Sequence, residues 1–275
     1  MTELAKSAQP PAQWRQMQID ITCQMRLVMM PFVTPLVRTE PDGAAHVGSG
    51  GCLEQLGRKL LLTNDHVVRE GQGRLAHKYF DSDRYFAIAG VIGEPLPTDL
   101  AVALIDQSWH MTSHSAMTFP EHRIAPKHNP VRGELLFMMG FAGKRAYYSP
   151  SLNVIVTHGT PYLTQEFDPA LEEREIKHRK FDPKYHFAMP WEPEKIDLVD
   201  KDKKTIPIDP HGFSGSLVWN TRFKEYGEAN KDWEPGVAQL TGIVWGWPTN
   251  SSVPFATRIE FVTTFLAHAL EVGLI

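Results

Sequence analysis

Short apolar runs, each bounded by turn residues, recur along most of this chain, and this pattern decides its fold class. The runs lie at residues 23–34, 46–53, 59–63, 85–92, 99–105, 133–143, 153–158, 185–189, 217–219 and 237–246. Their lengths and the turns between them are typical of strands. The C-terminus instead has a helical period, where Thr257 and Glu260 predict a capping box and Gly273 ends the helix. The whole pattern predicts an all-β barrel or sandwich in two halves, followed by a C-terminal α-helix.

Composition places the chain among ordinary globular proteins. Its 275 residues are 42% hydrophobic and 22% charged, which is ample material for a large core. The net charge of -4 does not favour a nucleic acid or an anionic membrane as a partner. No apolar run is long enough to span a bilayer, and the first residues lack the core of a signal peptide. Cys23 and Cys52 make no disulfide framework, so we expect a cytoplasmic protein with free thiols.

Three segments organise the chain. Residues 1–22 are predicted to form an N-terminal arm, residues 23–120 the first β-barrel and residues 121–275 the second. The arm and a charged insertion at residues 166–204 are candidate surfaces for a regulatory protein, with ordinary surface loops as the alternative. Within the insertion, Asp168 followed by proline predicts the start of a helix.

Histidines are numerous, and one pair has the spacing of metal ligands on a helix. His110 and His114 lie in a polar stretch before the second half of the chain. No helical pattern and no third ligand accompany them, so we interpret both as surface residues. The sequence predicts neither a metal nor a cofactor.

A turn near the middle of the second half presents one serine between two glycines. In the run Gly212-Phe213-Ser214-Gly215-Ser216, small neighbours would let a substrate carbonyl approach the Ser214 hydroxyl. The backbone N–H groups of Gly212 and Ser214 would face a developing oxyanion. Turns rich in Gly and Ser are common and most bind nothing, so the motif needs a base and an acid elsewhere in the chain.

Two residues upstream are candidates for that base and that acid. His66 closely follows the apolar run 59–63, where a sheet would hold its ring towards a cleft. Asp99 begins the run 99–105, and a buried carboxylate there would need a donor such as a histidine. Each also has a simpler interpretation when taken alone: one of 12 histidines without chemistry, and a solvated turn aspartate.

Together these residues resemble the chymotrypsin/trypsin-like serine peptidase family. The likeness is carried, in the order of that family, by Leu61–Val68, Thr98–Val102, Gly212–Ser216 and Pro254–Ile259. The resemblance implies two six-stranded antiparallel β-barrels with a cleft between them. It also implies that Ser214 attacks a peptide carbonyl, that His66 transfers the proton, and that Asp99 orients His66.

Some positions depart from the secreted members of that family. Phe213 stands where trypsin-like enzymes have an acid that pairs with a newly cut N-terminus, so activation by propeptide cleavage is not expected. Asp65 replaces a small residue beside the base, and Ser216 replaces a glycine. No cysteine follows His66, which favours a resemblance to intracellular, bacterial-type members.

The resemblance further implies a position for the primary specificity pocket. The implied residues are Ile208 at its base and, on the opposite wall, Val244, Trp245 and Gly246. None of them carries a charge that would attract lysine or arginine, so we expect a small or medium apolar side chain. Asp209 is the next residue after Ile208, and an alignment shifted by one position would reverse this expectation.

The sequence therefore predicts an active serine endopeptidase that forms an acyl-enzyme on a polypeptide substrate. Two alternatives stay open: a catalytically silent or latent binding scaffold that keeps the double barrel, and an esterase that uses the same serine. Inert relatives usually lose one member of the triad, whereas His66, Asp99 and Ser214 are all present in this chain.

Overall fold

Two β-sheets and several helices make up the structure. The computed structural model describes residues 12–41, 43–149, 154–167, 180–192, 211–247 and 253–273, without the side chains of residues 143–149 and 154–157. The α-helices in these ranges are α1 (Ala12–Met29), α2 (Asp65–Glu70), α3 (Asp106–Trp109), α4 (Phe223–Glu228) and α5 (Ile259–Glu271). Short 3-10 turns lie at Met30–Phe32, Glu121–Arg123 and Pro235–Val237. The predicted helix start at Asp168 and most of the 166–204 insertion lie outside the described residues.

The first sheet is built from the first half of the chain. Its described strands are β1 (Val33–Glu40), β2 (Gly43–Gln55), β3 (Arg58–Thr63), β4 (Leu75–Lys78), β5 (Tyr85–Ala87), β6 (Ile92–Glu94), β7 (Leu100–Leu104) and β8 (Phe119–Pro120). They follow the order β5-β4-β1-β2-β3-β7-β6, and β8 pairs with β2 in parallel. The hairpin between β2 and β3 turns on Leu56 and Gly57 at φ 49° and 75°, a two-residue turn that suits the twist of paired strands.

The second sheet is built from the second half of the chain. Its described strands are β9 (Leu136–Ser149), β10 (Val154–Thr164), β11 (His186–Ala188), β12 (Leu217–Asn220), β13 (Gln239–Gly246) and β14 (Phe255–Arg258). They are antiparallel and follow the order β10-β9-β12-β13-β14-β11. The prediction of an all-β fold with antiparallel sheets and a C-terminal helix is confirmed. Among the described residues the first sheet has eight strands rather than six, because the run 85–92 is interrupted at Gly90 (φ 63°) and β8 joins β2.

One apolar core joins the two sheets and two of the helices. Its buried members include Leu62 and Val102 from the first sheet, Phe137 and Trp219 from the second, Met25 from α1 and Phe265 from α5. Burying an aliphatic or aromatic side chain of this kind stabilises the fold by roughly 1.5–3 kcal/mol. The two halves therefore share a packed interior, which fixes the positions of side chains on either side of it.

The N-terminal segment differs from the sequence prediction. Helix α1 continues past residue 22 to Met29, and the predicted strand at residues 23–34 is wrong before Val33. Met25 and Met29 are buried one helical turn apart, while Cys23 is exposed and Leu27 is 73% exposed. The spacing of the apolar residues in this run is compatible with a helix face as well as with a strand, and packing against the core stabilises the helix.

The start of the C-terminal helix also differs from the prediction. Thr257 lies in β14, and its hydroxyl donates to the carbonyl oxygen of Thr98 at 2.7 Å. Arg258 is the N-cap of α5 and makes no side-chain capping bond. The predicted capping box between Thr257 and Glu260 is therefore wrong, because an acceptor in the first half of the chain has taken the Thr257 hydroxyl.

Two further predictions concern histidines and thiols. His110 is exposed, but His114 is half-buried and stacks on Tyr79 with ring centroids 4.4 Å apart, so only His110 is a surface residue. Cys23 and Cys52 are both free thiols, as expected, and Cys52 is buried. Among the described residues, no helix has the length and apolar character needed to cross a membrane.

Candidate active site

Two neighbouring strands of the first sheet bring His66 and Asp99 together. His66 is the second residue of α2, which follows β3, and Asp99 directly precedes β7. Because β3 and β7 pair in antiparallel register, the end of β3 lies beside the start of β7. His66 Nδ1 donates to Asp99 Oδ2 at 2.5 Å, and the His66 backbone N–H donates to Asp99 Oδ1 at 3.0 Å.

Asp99 is held in a buried and constrained position. The residue is 2% exposed, and its two donors from His66 supply the partners that a buried carboxylate requires. Its backbone has φ 51°, a left-handed conformation that is unfavourable for a residue with a Cβ. The amide of Asn64 donates to the Asp99 carbonyl oxygen at 2.7 Å. The His66 side chain is 36% exposed, so the base reaches the surface while the acid does not.

The turn that carries Ser214 depends on glycines at two positions. Gly212 and Gly215 have φ 97° and 88°, which residues with side chains rarely adopt. A Cβ on Gly212 would collide with the carbonyl oxygen of Phe141, and one on Gly215 would collide with that of Ser49. Backbone from both halves, β9 at Gly212 and β2 at Gly215, therefore packs directly against the turn, and no other residue type fits at either glycine.

Phe213 anchors this turn in the interior of the second sheet. Its side chain is fully buried, and its ring contacts those of Trp191 and Trp247, at centroid distances of 5.6 Å and 6.3 Å. Val218 and Val244 belong to the same apolar cluster. The apolar side chain of Phe213 thus anchors the turn at the position where secreted trypsin-like enzymes have an acid.

Two backbone N–H groups of the turn have no backbone acceptor in the part of the chain that the structure describes. The Gly215 N–H donates to the Val244 carbonyl oxygen at 2.8 Å, and the Ser216 N–H donates to that of Phe213 at 2.9 Å. Within the described residues, the Gly212 and Ser214 N–H groups have no backbone acceptor. In a trans peptide the carbonyl and the N–H point in opposite directions, so the inward bond of the Phe213 carbonyl turns the Ser214 N–H outward.

Ser49, on β2 of the first sheet, holds the turn from the opposite side. Its hydroxyl donates to the Gly212 carbonyl oxygen at 2.7 Å and accepts the Phe141 N–H at 2.9 Å. Its own N–H donates to the Ser214 carbonyl oxygen at 2.8 Å. Ser49 is fully buried, so these bonds are sheltered from water and link β2 to the turn and to β9.

His46 lies behind Gly212 and was not among the predicted site residues. Its Nδ1 contacts the Leu36 carbonyl oxygen at 3.0 Å, and its Nε2 contacts that of Phe141 at 2.6 Å. Burial lowers the pKa of His46, and the bonds to the two carbonyl groups partly oppose this shift. A Cβ on Gly212 would lie 2.6 Å from His46 Nε2, so the imidazole fills the space beneath the turn.

The Ser214 turn and the His66 helix approach each other at Gly48. A Cβ on Gly48 would lie 2.7 Å from Val67 Cγ1 and 3.2 Å from the Ser214 carbonyl oxygen. Val67, the residue after His66, and the Ser214 turn thus both contact Gly48. In the part of the chain that the structure describes, Ser214 Oγ and His66 Nε2 form no hydrogen bond.

The predicted specificity pocket is described only in part. Ile208 lies outside the described residues. Val244 is buried in the same apolar cluster as Phe213. Trp245 is 6% exposed and packs with Phe255, and Gly246 follows it at the end of β13. The pocket and its preference for apolar side chains stay a prediction.

Comparisons with solved structures identify the fold. The chain is similar to the scabies mite inactivated protease paralogue S-I1, with a TM-score of 0.55 and 11% identity over 90% of this chain and 97% of that one. It is also similar to a serine endoprotease from Yersinia pestis, with a TM-score of 0.53 and 16% identity over 92% of this chain and 67% of that one. Comparisons with protein-family models and with curated protein sequences gave no match. The fold is the chymotrypsin-like double β-barrel.

Proposed function

We propose that this protein is a serine endopeptidase that acts through Ser214, His66 and Asp99. The observation that carries the proposal is the His66–Asp99 pair, in which a buried carboxylate accepts both the ring N–H and the backbone N–H of the base. Such a carboxylate fixes the imidazole tautomer and stabilises the imidazolium that forms when the base accepts a proton. The fold is compatible with this activity and also with its loss, since one structural neighbour is named an endoprotease and the other an inactivated paralogue.

The proposed reaction uses the free edge of the imidazole. Because the proton of His66 stays on Nδ1 and is donated to Asp99, Nε2 is the nitrogen that accepts the hydroxyl proton of Ser214 as Oγ attacks the peptide carbonyl carbon. The carbonyl oxygen becomes an oxyanion and accepts bonds from the N–H groups of Gly212 and Ser214. His66 then protonates the leaving amine as the C–N bond breaks, which leaves an acyl group on Ser214. Water attacks this ester while His66 takes its proton; the bond between the acyl carbon and Oγ then breaks, the new carboxyl end of the peptide leaves, and His66 returns the proton to Ser214 Oγ.

The proposed substrate is a polypeptide. We retain the preference for a small or medium apolar side chain, with Trp245 and Gly246 as the described part of the pocket. A regulatory protein partner and a cytoplasmic location are also proposals on sequence grounds, and the free thiols of Cys23 and Cys52 are compatible with that location. The net charge of -4 argues against nucleic acids and anionic membranes as partners.

A silent or latent scaffold is the second candidate function. The observation that favours it is the missing hydrogen bond between Ser214 Oγ and His66 Nε2 within the described residues. Such bonds are often long in the absence of substrate and tighten when it binds, so an active enzyme agrees with the same geometry. The two candidates differ in whether Ser214 reacts with an acylating reagent.

Labelling with a fluorophosphonate probe separates them. We expect the purified parent protein to be labelled, and both Ser214→Ala and His66→Ala to lose labelling by several orders of magnitude, roughly 10³-fold or more. Each variant is compared with the parent by circular dichroism to establish that it is folded. The labelling is repeated from about pH 6 to about pH 9, in steps of about one unit, to cover the range in which a histidine changes its protonation. If the folded parent is not labelled at any of these pH values, the scaffold is favoured.

A further inference from the structure

The segment that carries Asp99 is held by two side chains from the second sheet. His186 Nε2 donates to the Pro97 carbonyl oxygen at 2.5 Å, and the Thr257 hydroxyl donates to the Thr98 carbonyl oxygen at 2.7 Å. His186 and Thr257 are opposite each other in the register of β11 and β14. One cross-strand pair of the second barrel therefore binds the two successive carbonyls that immediately precede Asp99 in the first barrel.

The bonds of His186 define its tautomer. The Asp182 backbone N–H donates to His186 Nδ1 at 3.0 Å, so Nδ1 is the acceptor and Nε2 carries the proton that is donated to Pro97. Burial lowers the pKa of His186, which keeps the ring neutral at pH 7 and preserves this arrangement. The ring also lies 4.7 Å from that of Trp245, between the Asp99 segment and strand β13.

Asp99 needs such support because its backbone is strained. A residue with a Cβ at φ 51° pays a conformational cost that persists only where the surroundings over-determine its position. Three successive carbonyls, those of Pro97, Thr98 and Asp99, each accept a bond from a side chain. Only Asn64, the donor to Asp99 itself, belongs to the same barrel as the acid.

We propose that His186 and Thr257 are positioning residues for the triad, which act through Asp99 by fixing the carbonyls of Pro97 and Thr98. This inference rests on the proposed function. It assigns to the β11–β14 pair the task of keeping the Asp99 carboxylate in line with His66, although neither residue touches the substrate or the reacting atoms. A displacement of about 1 Å in such an arrangement can lower a rate by about a hundredfold.

Two removal variants and two conservative variants test the proposal. Thr257→Val keeps the shape of the side chain but has no hydroxyl, and His186→Leu has no donor, whereas Thr257→Ser and His186→Gln each keep one. The first measurement is the low-field proton resonance of His66 Nδ1–H, which needs no substrate. The second is the pH profile of the rate of fluorophosphonate acylation.

We expect both removal variants to shift or broaden the resonance and to lower the acylation rate by about ten- to a hundredfold. Because a displaced carboxylate stabilises the imidazolium less, the acid limb of the pH profile should move to lower pH. The conservative variants should recover most of the rate. Thr241→Val, which removes a buried hydroxyl bonded to His128 in the same barrel, is the matched control and should change neither readout.

The outcomes separate this inference from the proposed function. If folded Thr257→Val and His186→Leu keep the parent resonance and the parent acylation rate, the positioning role is wrong. If the parent itself is not acylated, the peptidase proposal fails, and the resonance alone decides whether the β11–β14 pair positions Asp99. An equal loss of rate in Thr241→Val would also overturn the inference, since it would indicate a general effect of losing a buried hydroxyl.

Discussion

At the scale of single residues, Ser49 holds the Ser214 turn by two hydrogen bonds, one from its hydroxyl and one from its backbone N–H. Its hydroxyl group links the Phe141 N–H to the Gly212 carbonyl, and Gly212 would supply one N–H of the proposed oxyanion site. That carbonyl belongs to the peptide between Gly212 and Phe213, which lies between the two peptides whose N–H groups would face the oxyanion. The proposed role of Ser49 is thus to hold the middle peptide of the turn, and through it the directions of the Gly212 and Ser214 N–H groups.

We predict that Ser49→Ala lowers the rate of fluorophosphonate acylation by about ten- to a hundredfold. The change also leaves a buried N–H of Phe141 and a buried carbonyl of Gly212 without a partner, at a cost of about 1–3 kcal/mol in the free energy of unfolding. Urea titration checks the stability. Ser82→Ala is the control, because it removes a buried hydroxyl whose partner among the described residues is the Arg84 N–H. Acylation of Ser49→Ala at the parent rate would contradict this role.

Residues of the site differ in how far they could be predicted from sequence. His66 and Asp99 each follow or begin an apolar run, so local patterns indicated both. The supporting residues have no local pattern, because their acceptors are distant in the chain. The hydroxyl of Ser49 donates to a carbonyl 163 residues away in the chain. The carbonyls that accept from His186 Nε2 and from the Thr257 hydroxyl are 89 and 159 residues away. Only the run Gly48–Gly51 around Ser49 gave a signal, that of a close backbone approach.

At the scale of elements, the predictions succeeded where turns bounded an apolar run on both sides. The β2–β3 hairpin is one example, because Leu56-Gly57 fixes both its turn and its register. The second half of helix α1 was predicted as a strand because its apolar residues have no such boundary until Pro31, and only the core shows which of them are buried. A segment of this kind obtains its conformation from packing, which the local sequence does not contain.

The Ser214 turn is an element whose anchor can be tested. We predict that Phe213→Leu keeps the turn and most of the acylation rate, because an apolar side chain still fills the space beside Trp191 and Trp247. Phe213→Asp should abolish acylation and lower the unfolding midpoint, since it buries a carboxylate among apolar side chains without a partner. Both are measured by probe labelling and thermal unfolding.

The same pair of variants distinguishes two kinds of activation. If Phe213→Asp were folded and active, the turn would accept a charged anchor with a cationic partner, as in enzymes activated by a new N-terminus. Loss of activity in Phe213→Asp together with its retention in Phe213→Leu would support a turn that is formed without any cleavage.

At the scale of the whole molecule, each barrel holds the segment of the other that carries a proposed triad residue. Ser49 from the first barrel fixes the Ser214 turn, and His186 and Thr257 from the second fix the Asp99 segment. The shared core packs β3 and β7 against β9, β12 and β13. Any process that loosens the first barrel should therefore disturb both halves of the site at once.

The first barrel contains a buried group that makes its stability depend on pH. His77 is fully buried, its ring lies edge-on to Tyr79 at 4.5 Å, and neither ring nitrogen has a hydrogen-bond partner among the described residues. Burial, with a smaller effect from His114, lowers the pKa of His77 from 6.5 to about 4. Between these two pH values the unfolded chain binds a proton that the folded protein excludes, so stability falls as the pH falls through this window.

We predict that His77→Phe removes this part of the acid sensitivity. From pH 7 to pH 4.5 the free energy of unfolding of the parent should fall by about 2–3 kcal/mol more than that of His77→Phe, and the difference should level off below about pH 4. Urea titrations at each pH measure it, with the exposed His122→Phe as the matched control that should follow the parent. Equal pH dependence of the parent and His77→Phe would mean that the imidazole is protonated in the folded barrel.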